Sequence, residues 1–81
     1  MAAVEKIRPV RDLIAGDKVK ILSPTSRAVV ISARPVGGHH LHRDGNSGPS
    51  FEIQVRIETG EFAGRSFTEH CAPGARIITY A

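Results

Sequence analysis

Phe51-Glu52-Ile53-Gln54-Val55-Arg56-Ile57-Glu58 decides the fold of this chain. Apolar and polar residues alternate without a break, so at a repeat of two Phe51, Ile53, Val55 and Ile57 share one face. Glu52, Gln54, Arg56 and Glu58 share the other. A helix would scatter both sets around its axis. The stretch predicts an antiparallel strand with one face in a core and the other in water.

Two more strands precede it. Asp17-Lys18-Val19-Lys20-Ile21-Leu22 alternates in the same way and stops at Ser23-Pro24-Thr25-Ser26, a turn signal. Ala28-Val29-Val30-Ile31-Ser32-Ala33 is a continuous run rich in β-branched residues, halted by Pro35 and Gly37-Gly38. The spacing from Leu22 to Arg27 predicts a hairpin. After Thr59-Gly60-Glu61 a fourth strand is expected over Arg65–Glu69, and a fifth over Ala75–Tyr80. Val10 to Ala15 can form at most a helical turn before Gly16. Residues 37–50 hold four glycines, a proline and a single aliphatic residue, and read as a long flexible surface loop.

Five short strands separated by turn signals predict an all-β chain. The expected architecture is a single domain over residues 1–81, a small five-stranded SH3-like barrel or a strongly bent antiparallel sheet. Leu13-Ile14-Ala15-Gly16-Asp17-Lys18-Val19-Lys20-Ile21 resembles the opening of SH3-like small barrels of the KOW and Tudor type, over about nine residues. In those barrels a Gly-Asp pair turns the chain into an alternating first strand. The same stretch with Thr68-Glu69-His70 also resembles the Hint domain of inteins. That likeness fails because the N-terminal nucleophile is missing, Thr68 and His70 stand one residue too close, and no His-Asn ends the chain.

Size and composition narrow the function. At 81 residues the chain buries only about 60–65% of its unfolded surface. Its 41% hydrophobic and 23% charged residues are those of a folded soluble domain, which excludes wholesale disorder. No apolar run reaches the roughly 18 residues of a membrane-spanning helix, and a charged Met1–Pro9 lacks a signal-peptide core. With the single Cys71, these features point to a cytoplasmic chain without a membrane partner.

Charge has a direction along the chain. Residues 1–43 carry eight Lys and Arg against three Asp and Glu, and residues 44–81 carry three against five. The basic half favours an acidic partner, either nucleic acid or an acidic protein. Lys18 and Lys20 share the polar face of one strand, Arg56 projects from the polar face of another, and Arg27, Arg34 and Arg43 flank turns. These six are the candidate nucleic-acid-binding residues, since arginine suits bidentate phosphate contacts. Tyr80 and Phe62 are the aromatics not assigned to the core.

The alternative is a protein–protein interaction or accessory module, an inhibitory one of phage or mobile-element origin included. It would use the 37–50 loop with His40 and His42, and the 60–64 turn with Phe62. Oligomerisation belongs to the same class, so a monomer or a small homo-oligomer is expected. His39, His40, His42, His70 and Cys71 have the donor chemistry of zinc ligands but not the spacing of a structural site, so no metal is assigned. His70 and Cys71, adjacent in an extended segment, point to opposite faces and cannot pair as base and nucleophile. No catalytic residue and no cofactor is assigned.

Overall fold

The computed structural model describes residues 5–21 and 27–80. The alternating stretch lies in the strand Ser47–Ile57, the fourth of six. In chain order the strands are β1 (Glu5–Pro9), β2 (Lys18–Lys20), β3 (Arg27–Leu41), β4 (Ser47–Ile57), β5 (Ser66–Cys71) and β6 (Arg76–Tyr80). A 3₁₀ turn at Val10–Asp12 follows β1. The protein is therefore all-β, as its periodicity requires. Its strands form one antiparallel sheet in the order β1-β6-β2-β3-β4-β5.

The chain runs from β2 to β5 as consecutive antiparallel neighbours, and β6 then returns to the free side of β2. One face of the strands β2 to β6 supplies the core, while the edge strand β1 buries no side chain fully. Phe51, Ile53, Val55 and Ile57 of β4 are all buried, together with Val19 of β2, Ala28 and Val30 of β3, and Ile77 of β6. Full burial of such a side chain contributes about 1.5–3 kcal/mol. Among the described residues only a 3₁₀ turn is available to cover the inner face, so the sheet must bend over itself. Irregularities in the β3–β4 pairing between Val30 and Ser32, and again between Val36 and His40, supply that bend. Val10 N–H donates to Ala75 O at 3.0 Å and holds the 3₁₀ turn to the segment before β6.

Three expectations need correction. The sheet does not close into a barrel among the described residues, because β1 and β5 stand as its two edges. Among the described residues it has six strands instead of five. β1 escaped notice because Ile7 is the only aliphatic residue in Glu5–Pro9, and this edge strand pairs only with β6. Residues 37–50 are mostly a hairpin arm and not a loop: His40 pairs with Gly48 and Leu41 with Ser47. Glycines and polar residues suffice there because most of the arm's side chains meet water, and the backbone ladder does not need a core. The expected turn at Ser23–Ser26 lies outside the described residues.

The arm closes through a tight turn. His42 N–H donates to Asn46 O at 2.7 Å, Gly45 N–H to His42 O at 3.0 Å, and Asn46 N–H to the Asp44 carboxylate at 3.0 Å. Gly45 adopts φ +90°, where a side chain is strained, yet a Cβ there would meet nothing within 4 Å. Gly45→Ala is therefore expected to cost about 1–2 kcal/mol through conformation alone. Gly37→Ala, with equal space and no positive φ, should cost nothing measurable. Urea denaturation of the two variants checks this, and equal midpoints would contradict it.

Candidate nucleic-acid interface

Pairing register fixes which side chains stand side by side on the solvent face. Glu5 lies opposite Tyr80, Tyr80 opposite Lys18, Lys18 opposite Val29, Val29 opposite Arg56, and Arg56 opposite Ser66. This row crosses all six strands. Lys20, opposite Arg27, stands beside it. The Arg27 guanidinium carbon sits 4.6 Å from the centroid of the Tyr80 ring, a cation–π contact on an open sheet face. Lys18, Lys20, Arg27 and Arg56 thus form one patch. Arg34, opposite Glu52, extends the same face along the hairpin arm, while Arg43 lies past the arm's end beside the β5 terminus.

Acidic neighbours divide the six cations. Lys18 Nζ sits 2.7 Å from Glu58, Lys20 Nζ 2.9 Å from Glu5, Arg34 Nε 3.4 Å from Glu52 and Arg43 Nε 3.8 Å from Glu69. The hydrogen bond with Glu5 raises the Lys20 pKa above the usual lysine value. Among the described residues, Arg27 and Arg56 have no carboxylate within ion-pair distance. A surface pair such as Lys18–Glu58 contributes about 0–1 kcal/mol. It can therefore be exchanged for a phosphate at little cost.

A second cluster lies on the same face of the hairpin arm. Ser50 Oγ and His70 Nδ1 are 2.8 Å apart, and the His40 ring stacks on His70 at 4.4 Å with 6° between the planes. His40 Nε2 also lies 2.9 Å from Gly37 O. His70 Nε2 is 4.0 Å from Glu52, beyond hydrogen-bond length. The order hydroxyl, imidazole, carboxylate resembles a nucleophile relay, but Ser50 is only 2% exposed. The cluster instead clamps β3 to β5 across β4.

The residues expected to meet a protein partner divide as well. His42 is buried, and its Nε2 lies 3.2 Å from Gly48 O and 3.0 Å from Pro49 O. His42 thus ties its ring to the carbonyls of its own arm and is turned away from solvent. His40 is half-buried in its stack. Phe62 is 41% exposed and packs edge-on against Phe67, with the Arg65 guanidinium 5.7 Å from its ring. Cys71 is buried at the end of β5, and burial pushes its thiol pKa up. Among the described residues no group of three or more His, Cys, Asp or Glu is placed to hold a metal ion.

Sequence reasoning picked out Lys18, Lys20, Arg27 and Arg56 but not the Arg27–Tyr80 contact or the ion pairs, which depend on register. It also passed over Arg76, a lone arginine in an apolar strand. No protein-family model, curated protein or solved structure matches the chain.

Proposed function

We propose that this chain is a non-catalytic nucleic-acid-binding module that uses the solvent face of its sheet. The observation that carries the reading is the Arg27–Tyr80 contact on the same face as Arg56, which has no carboxylate partner among the described residues. Single strands are bound by cations that track the backbone and rings on which bases stack, and this patch supplies both. Arg27 can shift to a phosphate and leave the Tyr80 ring to a base. Lys18 and Lys20 add two cations whose carboxylate partners compete only weakly with a polyanion.

The likeness to KOW and Tudor barrels supports the same reading. Gly16, at φ +96°, and Asp17 turn the chain into β2, and the Asp17 carboxylate accepts the Ile14 N–H at 2.9 Å. A cytoplasmic site of action suits the free Cys71. No helix among the described residues is long and apolar enough to cross a membrane.

Exposed Phe62 favours a second reading, docking of a protein through the 60–64 turn. Fluorescence anisotropy with labelled oligonucleotides separates the two. Tyr80→Ala is expected to weaken single-strand binding by about five- to a hundredfold, the cost of one stacked base, while Phe62→Ala leaves it unchanged. Loss with Phe62→Ala and none with Tyr80→Ala would move the contact surface to the turn.

A further inference from the structure

Away from the sheet face, the hairpin tip and the β5–β6 turn enclose a cleft of about 360 Å³ lined by Arg43, Asp44, Cys71, Ala72, Ala75 and Arg76. Backbone hydrogen bonds fix its walls. Arg43 N–H donates to His70 O at 2.9 Å, joining the tip to β5, and Ala75 N–H donates to Ala72 O at 2.9 Å, closing the turn. Two alanines leave the space open. The buried Cys71 thiol, kept protonated by desolvation, makes the floor apolar and uncharged.

Charge enters only at three of the six lining residues. Arg76 has no carboxylate within ion-pair distance among the described residues. Arg43 lies beside the Cys71 sulfur, with Glu69 3.8 Å from its Nε. The Asp44 carboxylate accepts the Asn46 N–H, which holds its pKa below the usual value and keeps it ionised. Glu69 neutralises Arg43, so Arg76 is the guanidinium of the lining left without a carboxylate partner among the described residues. One such cation matches a monoanion better than a dianion.

We infer that this cleft binds the carboxylate of a small aliphatic acid, with Arg76 and Arg43 on the carboxylate and the Ala72–Ala75–Cys71 floor under the hydrocarbon. A carboxylate offers two coplanar oxygens to a guanidinium fork, and a short alkyl chain replaces water against the alanines. This site is separate from the nucleic-acid face and does not depend on it.

Butyrate serves as the probe, followed by amide chemical shifts, with chloride at matched ionic strength and inorganic phosphate as comparison arms. Saturable shifts at Ala72, Ala75 and Arg76 are expected, with a dissociation constant of about 1 mM. Phosphate should bind more weakly than butyrate. Arg76→Gln should weaken butyrate by about tenfold, and Ala72→Leu should weaken it as well by narrowing the cleft over its apolar floor. Spectral dispersion shows that each variant is folded. Arg56→Glu should leave butyrate binding unchanged, which keeps this test distinct from that of the sheet face. Shifts that stay linear in butyrate, that persist in Arg76→Gln, or that saturate sooner with phosphate would overturn the proposal.

Discussion

Ile53→Ala is expected to destabilise the protein by about 2–5 kcal/mol, the range for truncating a buried aliphatic side chain. Ile53 is fully buried in β4, between Ala33 on β3 and Glu69 on β5. Paired strands on both sides hold the backbone, so the site cannot collapse to fill the void. A domain of this size has only about 5–15 kcal/mol of stability, so the melting temperature should fall by at least about 10 °C. Leu41→Ala is the control: Leu41 is equally apolar but 73% exposed on the hairpin arm, and its loss should change stability by less than about 0.5 kcal/mol. Thermal denaturation of the pair checks the register of the whole sheet. A shift by one residue would exchange inner and outer faces of β4, making Ile53→Ala mild.

Charge reversal at Arg27 or Arg56 has the second large effect, on binding. Neither guanidinium has an acidic partner among the described residues, so each is free to meet a phosphate. A hydrogen bond to a charged group contributes about 1.5–3 kcal/mol, and reversal adds repulsion. Each single reversal should therefore weaken binding by at least about tenfold. Arg34→Glu should weaken it less, because the Arg34 guanidinium is already shared with Glu52 at 3.4 Å. Both sets lie on the solvent face, so the folded state should be kept. Direct binding measurements order the three, and an Arg34 effect larger than that of Arg56 would place the contact on the hairpin arm.

The strands that bury a face were legible in the residues. Phe51 to Ile57 alternates because β4 has water on one side and core on the other. The continuous run of β3 begins where the strand is paired with both β2 and β4, and Ile31, at the irregularity after Val30, is exposed. What escaped was structure held by backbone alone. The arm beyond Val36 pairs through His40 and Leu41 with little side-chain burial, so its composition looks like that of a loop. β1 is bound to the sheet by its ladder to β6 and shows no apolar alternation.

The site was half legible for a related reason. Alternation alone put Lys18, Lys20 and Arg56 on polar faces. It could not show that Lys18 would meet Glu58, forty positions away, or that Arg27 would reach Tyr80. Those contacts follow from strand order and register. The burial of His42, whose Nε2 reaches the carbonyls of Gly48 and Pro49, likewise follows from how the arm pairs.

The most direct test of the nucleic-acid face is the salt dependence of single-strand binding, compared between the wild type and an Arg27→Glu/Arg56→Glu double variant. Each neutralised phosphate on a single strand contributes about −0.7 to the log–log slope, so four contacts from Lys18, Lys20, Arg27 and Arg56 predict about −3. The double variant should bind far more weakly and with about half that slope. An unchanged slope in the double variant, or no wild-type binding at about 50 mM salt, would contradict the assignment of this face.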